Sequence, residues 1–174
     1  MTSLRSRLAA LLTGFAIISL AAPTLAQQQP QNLGTFKFWT AWKGTDANGE
    51  MCYISSQPQS TEPANVKRSP IHFLVIHRKG LGTKNEVQTL IGYPFNTSNS
   101  NASASVDGKT YPMVTEGEAA WLASSADEPG FVESLKAGST LVVRGTSQRG
   151  TNTVDTYDLG GVTAAMTEID KACA

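Results

Sequence analysis

The sequence predicts a mainly β protein, an antiparallel β-sandwich or barrel-like domain with short helices. Short apolar stretches recur along the chain, and turn-forming pairs such as Asn48-Gly49 and Asp107-Gly108 separate them. The last segment differs, because its apolar side chains recur every three or four residues and so form one stripe on a helix. That stripe comprises Val162, Met166, Ile169 and Cys173. We therefore expect a sheet fold that ends in a C-terminal helix.

The N-terminal residues 1–26 have the layout of a secretory signal peptide. Arg5 and Arg7 supply the positive start, Leu8 to Ala22 is uncharged and apolar, and Thr24-Leu25-Ala26 supplies small residues for cleavage. The apolar stretch of about 15 residues is short for a membrane-spanning helix of about 20, so cleavage after Ala26 is favoured over an uncleaved anchor. We expect no membrane span after signal removal, and a periplasmic or secreted protein of a Gram-negative bacterium.

The remaining chain suits one domain with its own core. We expect a flexible leader over residues 27–34, which is polar and contains proline, and a single β-rich domain over residues 35–174. Arg5 and Arg7 are two of the 14 lysines and arginines, against 14 aspartates and glutamates, so the net charge after cleavage is about −2. No basic run occurs, which argues against binding to nucleic acid and to anionic lipid.

The two cysteines, Cys52 and Cys173, lie near the two ends of the predicted domain. Disulfides are typical of exported proteins, so we expect these two residues to be paired and to tie the last helix to a strand. The alternatives are a reactive thiol and a zinc site. Neither is favoured, because no C-x-x-C spacing occurs and His72 and His77 are the only histidines that could assist.

The first half of the domain reads as strands around hairpin turns. We predict a strand from Thr35 to Trp42, a turn at Asp46 to Gly49, and a return strand from Glu50 to Ser56 with Cys52 on its inner face. A proline-containing loop follows from Gln57 to Ser69. In the first strand, alternation places one set of side chains on a common face: Phe36, Phe38, Thr40 and Trp42.

The middle of the chain continues this pattern. Ile71 to Ile76 is almost wholly apolar, as expected of a central strand, and Glu86 to Tyr93 is a further strand. Asn96 to Ser105 is rich in Asn and Ser, so we predict a flexible surface loop there. A short strand from Lys109 to Val114 follows, and Glu116 to Ala123 is a short helix or an irregular segment.

The last part contains a short helix and a hairpin before the C-terminal helix. Pro129 and Gly138 bracket the short helix, in which Phe131 and Leu135 share a face. The hairpin strands are Thr140 to Arg144 and Thr153 to Leu159, and Gly160-Gly161 leads into the final helix.

No residue pattern identifies a catalytic, cofactor-binding or metal site. His72 and His77 lie five residues apart, so a regular strand would place them on opposite faces; we expect His72 to be partly buried and His77 to be exposed. Glu116 and Glu118, the closest acidic pair, are expected to be solvated. Asp46, Asn48 and Glu50 resemble part of a calcium loop, but the glutamate of the twelfth position is missing.

Tryptophan provides the candidate interaction surface. Trp39 and Trp42 fall on opposite faces of the predicted first strand, so one of them is a candidate to face solvent or a groove. An exposed tryptophan is a common hot spot of binding.

Several landmarks together resemble the invasion-associated locus B family of Gram-negative envelope proteins. In chain order they are Trp42 ahead of Cys52, Tyr93-Pro94-Phe95, Val106-Asp107-Gly108, Trp121, Phe131-x-x-x-Leu135-x-x-Gly138, and Tyr157-Asp158-Leu159-Gly160-Gly161-x-x-Ala164 running to Cys173. The resemblance covers essentially the whole predicted domain. It implies a small exported β-rich domain, a part in host-cell invasion in pathogenic members, and no established enzymatic chemistry.

We therefore interpret the chain as a non-enzymatic exported envelope or binding protein, contributing to host-cell interaction or envelope integrity through an unknown envelope or host protein. One alternative is a periplasmic hydrolase that acts on envelope glycans or peptides, with carboxylates brought together by the fold. Another is an accessory factor for envelope protein assembly. An enzyme should gather histidine or acidic side chains in one cleft, whereas a binding module should show an exposed aromatic patch or an open sheet edge.

Overall fold

The described part of the chain, residues 29–174 of a computed structural model, forms eleven strands and two α-helices. The strands are β1 (Gln31–Phe36), β2 (Trp39–Asp46), β3 (Gly49–Ser56), β4 (Ser60–Glu62), β5 (His72–Arg78), β6 (Thr83–Leu90), β7 (Ser103–Val106), β8 (Lys109–Glu116), β9 (Ala119–Leu122), β10 (Thr140–Thr146) and β11 (Asn152–Asp158). The helices are α1 (Glu128–Ala137) and α2 (Val162–Ala172). The signal peptide predicted at residues 1–26 lies outside the described residues.

All the strands join one antiparallel sheet in the order β1-β2-β3-β5-β6-β9-β8-β7-β10-β11-β4. Strand β8 belongs to both halves of the sheet, because its first residues pair with β7 and its last residues pair with β9. The halves pack against each other: the rings of Phe73 on β5 and Tyr157 on β11 lie 5.9 Å apart. The predicted mainly β, antiparallel fold is confirmed.

The hairpins form where the turn residues predict them. Asp46 pairs with Gly49 at the end of the β2–β3 hairpin, and Asp107-Gly108 closes the β7–β8 hairpin. Both residues of the second turn have positive φ, 45° at Asp107 and 92° at Gly108, which is the geometry of a tight hairpin turn. Local turn chemistry therefore sets the register of these strand pairs.

The start of the domain differs from the prediction. The stretch from Thr35 to Trp42 is two strands, because the chain turns at Lys37 with φ 52° and Phe36 pairs with Trp39. The extra turn changes which side chains point inward: Trp39 is fully buried, whereas Phe38 is 43% exposed. The leader expected over residues 27–34 is also shorter than predicted, because β1 begins at Gln31 and pairs with β2.

Three segments predicted as irregular contain strands. The loop from Gln57 to Ser69 contains β4, which pairs with β11, and the segment around Trp121 forms β9. The Asn- and Ser-rich stretch ends in β7 and is held to the sheet. The Thr146 N–H donates to the Ser100 carbonyl at 2.6 Å, and the Met113 N–H donates to the Ala102 carbonyl at 3.0 Å. These contacts contradict the prediction that the whole stretch is a flexible surface loop.

Both predicted helices are present, and each buries the expected stripe. In α1, which begins beside Pro129, Phe131 and Leu135 are fully buried. In α2, the whole stripe is buried: Val162, Met166, Ile169 and Cys173. Within residues 29–174, neither helix is long and apolar enough to cross a bilayer.

Candidate functional site

The inner face of the sheet joins α2 through a disulfide. Cys52 on β3 is bonded to Cys173 at the end of α2, across a sequence separation of 121 residues. Both sulfur-bearing side chains are buried, and residues 29–174 contain no free cysteine. The predicted pairing is therefore present, and neither thiol is available as a nucleophile.

His77 lies beside this disulfide and is buried, so the prediction that it is exposed is wrong. It pairs across the sheet with Cys52, and only 1% of its side chain is exposed. Regular alternation along β5 places His77 on the inner face with Phe73 and Val75, opposite His72, as the spacing predicts. The sequence did not show that Asp170 of α2 lies over this end of β5.

The two ring nitrogens of His77 are both engaged. The Asn85 N–H donates to Nδ1 at 3.2 Å, so Nδ1 is an acceptor and Nε2 carries the hydrogen. Nε2 donates to the Asp170 carboxylate of α2 at 2.8 Å. The histidine–aspartate pair resembles two members of a catalytic triad, but no ring nitrogen is left to accept a proton from a nucleophile.

The other titratable candidates are dispersed. His72 is partly buried, as predicted, and burial lowers the pKa of its imidazole. Glu116 and Glu118 are both exposed around the β8–β9 turn. Among the described residues, no three His, Cys, Asp or Glu side chains are grouped so that they could hold a metal ion.

The two candidate tryptophans have different surroundings. Trp39 lies in the core, where its indole N–H donates to the Asp158 carbonyl at 2.9 Å. Trp42 lies half-buried on the outer face, stacked on Tyr53 with ring centroids 6.3 Å apart. The indole N–H of Trp42 donates to the Ser55 hydroxyl at 3.0 Å. Trp42 is therefore the member of the pair that can contact a partner.

Trp42 belongs to an apolar strip on the outer face of the sheet. Strand pairing places Trp42 beside Tyr53 in one row. The adjacent row contains Leu74, then Gln88 of β6, then the neighbours Trp121 and Val114. Val114 is 54% exposed, and the other four apolar residues are half-buried. We call these five apolar residues the outer strip. Only Trp42 of the strip could be identified from the sequence, because the strip combines residues from five strands.

A cleft lies at one end of the sheet and has a volume of about 560 Å³. The segment Gly92-Tyr93-Pro94 crosses its floor, the segment 66–69 forms one wall, and the β10–β11 loop forms the other. Backbone hydrogen bonds fix both walls: the Ser69 N–H donates to the Gly92 carbonyl at 2.9 Å, and the Gln148 N–H donates to the Pro94 carbonyl at 2.8 Å. The cleft is thus formed before any ligand binds.

Gly92 is required where the floor meets the first wall. Its φ is 79°, a left-handed conformation that favours glycine, and a Cβ atom would lie 2.4 Å from the Ser69 carbonyl oxygen. A larger residue would separate the floor from the wall.

A buried ion pair supports the cleft from below. Arg68 and Asp155 form two parallel hydrogen bonds, one of 3.0 Å from Nη1 to Oδ2, and their side chains are 5% and 0% exposed. Burial raises the pKa of the Asp155 carboxyl, and the Arg68 guanidinium opposes this shift. Arg68 also lies 5.6 Å from the centre of the Tyr93 ring, whose hydroxyl is 2.7 Å from Thr153 Oγ1.

This ion pair was not predicted, although the sequence carries a signal for its acidic member. Asp155 shares the inward face of β11 with Thr153 and Tyr157, each two residues away, so its position predicts a buried side chain. A carboxylate at a core position needs a charged partner. The sequence does not identify that partner, because Arg68 lies 87 residues away.

Comparison with known proteins gives the family. The model of the "Invasion associated locus B (IalB) protein" family matches residues 39–170. The fold is similar to the crystal structure of invasion associated protein B from Bartonella henselae, with a TM-score of 0.53 and 13% identity; the match covers 83% of this chain and 98% of that chain. No curated protein matches the sequence. The chain belongs to the invasion associated locus B family.

Proposed function

We propose that this chain is a non-enzymatic exported protein of the cell envelope, periplasmic or secreted, that binds a protein partner through the outer strip. The partner is an envelope protein or a host protein, and its binding contributes to envelope integrity or host-cell interaction. Family membership, the disulfide and the signal-peptide layout of residues 1–26 support an exported protein.

The outer strip is the observation that carries the binding role. Its two rows place Trp42 beside Tyr53 and Trp121 beside Val114 on one sheet face. The buried stripes of α1 and α2 pack on the opposite, inner face. Tryptophan and tyrosine supply large, stiff contact surfaces, which is why they dominate binding hot spots. The Trp42–Tyr53 stack is therefore the expected centre of the interface.

The hydrolase alternative is less well supported by the geometry of the described residues. Histidine, the usual general base, is half-buried at His72 and engaged through both nitrogens at His77. The exposed acidic pair Glu116 and Glu118 lies at the β8–β9 turn, and strands β6 and β9 separate Glu116 from His72 in their common row of the sheet.

The test is complementation of a strain that lacks this protein, at matched protein levels. The deletion phenotype is measured as detergent sensitivity of the envelope and as invasion of cultured host cells. We expect Trp42→Ala to accumulate normally and to fail to complement, because the centre of the interface is lost. Phe38→Ala is the matched control, since Phe38 is an exposed aromatic residue outside the outer strip.

A variant of the histidine–aspartate pair separates binding from catalysis. Asp170 is half exposed, so Asp170→Asn should fold and should complement if the pair is structural. Failure of folded Asp170→Asn together with success of Trp42→Ala would contradict the proposal and favour an enzyme.

A further inference from the structure

The cleft at the end of the sheet is lined by two cationic side chains that form no ion pair with other described residues. Lys67 on one wall and Arg149 on the other are exposed, and neither forms an ion pair within residues 29–174. The charge of Arg68 below them is balanced by Asp155. The lining charges that remain are two positive groups and the carboxylate of Glu118. This balance favours a ligand with a negative group.

The size and rigidity of the cleft suit a small ligand. Cavities of about 300–1,000 Å³ are typical of small-molecule sites, and the mouths of barrel-like sheets are a common place for them. Both walls are tied to the floor by backbone hydrogen bonds, so little ordering is needed on binding.

The β10–β11 wall of the cleft offers a ligand side-chain donors rather than a cluster of free backbone N–H groups. Phosphate sites commonly use clusters of free backbone N–H groups. Here the N–H groups of Ser69, Gln148, Gly150 and Thr151 already donate to acceptors of the protein. These four N–H groups are therefore not available to a ligand, and the planar guanidinium of Arg149 can bind a carboxylate through two parallel hydrogen bonds.

The rest of the lining suits a peptide better than a sugar. Sugars are commonly held on an exposed aromatic face, but Tyr93 is only 8% exposed. Val66, which is 39% exposed, and Pro94 offer apolar contacts for short side chains. The Gln148 amide can accept and donate, and Glu118 can accept from peptide N–H groups.

We propose that this cleft binds short peptides through a free carboxylate recognised by Lys67 and Arg149. The site is separate from the outer strip, since none of the five strip residues lines the cleft. The inference does not rest on the proposed protein–protein function, and either can fail without the other.

The test uses the exported chain with its disulfide intact, labelled for nuclear magnetic resonance. It is titrated with an N-acetylated alanine tripeptide that has a free carboxylate, and with the same peptide as its C-terminal amide. We expect saturable shifts of the Gly92 and Gln148 amide signals with the acid, and at least about tenfold weaker binding of the amide, which lacks the charge.

Matched variants test which side chains bind the peptide carboxylate. Arg149→Gln and Lys67→Gln should each weaken binding of the acid by about tenfold, and Arg144→Gln should not, because Arg144 is an exposed cation of β10 outside the cleft. Equal binding of acid and amide, no shift at millimolar acid, or wild-type binding by both cleft variants would overturn the proposal.

Inorganic phosphate is the second probe. Displacement of the peptide by phosphate at equal affinity would identify a general anion site and would also overturn it.

Discussion

The two faces of strands β2, β3 and β5 carry the same residue types in different surroundings. On the inner face, Trp39 and His77 are buried and each forms a specific hydrogen bond, to Asp158 and to Asp170. On the outer face, Trp42 and His72 are half-buried. One tryptophan and one histidine thus stabilise the fold, and their counterparts remain accessible.

The difference shows that a residue type does not reveal its role in a sheet. Alternate residues of a strand point to opposite faces, so a shift of one position exchanges core and surface. The inner face engages its polar groups with α2, through His77 and through the disulfide of Cys52. His77 and the two cysteines are therefore engaged in structural contacts. The proposed binding surfaces, the outer strip and the cleft, lie elsewhere in the molecule.

The largest expected effect tests the inner face. We expect the double variant Cys52→Ala/Cys173→Ala to lose about 4–5 kcal/mol of unfolding free energy, because the disulfide closes a loop of more than one hundred residues in the unfolded chain. Denaturant unfolding of oxidised protein and variant measures this loss. Thiol labelling of the oxidised protein under denaturing, non-reducing conditions is the control and should find no thiol; two labelled thiols would contradict the pairing.

The two tryptophans give the second test. Trp39→Ala should cost about 3–5 kcal/mol, because it leaves a cavity in the core and removes a hydrogen bond. Trp42→Ala should cost about 1 kcal/mol, as is usual away from the core. Denaturant midpoints and slopes of both variants measure the difference. Equal losses would show that the two faces of β2 are equally packed, and the proposed role of the outer strip would lose its basis.

The smallest expected effect concerns His72 and the pH dependence of stability. Burial lowers the pKa of His72 in the folded protein below its ordinary value of 6.5. The unfolded chain therefore binds the proton first, so stability is lost as pH falls from 6.5 through the lower folded pKa. We expect the melting temperature of His72→Gln to fall less steeply over this range than that of the wild type. Gln88→Ala, a neighbouring outer-face variant, should keep the wild-type slope.

Local signals account for the parts of the fold that the sequence predicted correctly. The turn at Asp107-Gly108 and the buried stripe of α2 each depend on residues close together in the chain. The outer strip and the cleft depend on strand order, which joins distant segments such as residues 66–69 and the β10–β11 loop. No local pattern encodes that order, so only one member of the outer strip and none of the cleft residues was predicted as a site.

The sequence by itself determined the antiparallel class, the main hairpins, the two helices and the cysteine pair. Turn residues and hydrophobic periodicity are local properties of the chain, and two cysteines allow only one intramolecular pairing. The tertiary structure decided which tryptophan is accessible, that His77 is buried, and that Arg68 reaches Asp155. These outcomes depend on a turn at Lys37, on the cover that α2 gives His77 through Asp170, and on a contact across 87 residues. Each is stabilised by packing between segments that meet only once the sheet has formed, so the local pattern of one segment cannot encode it.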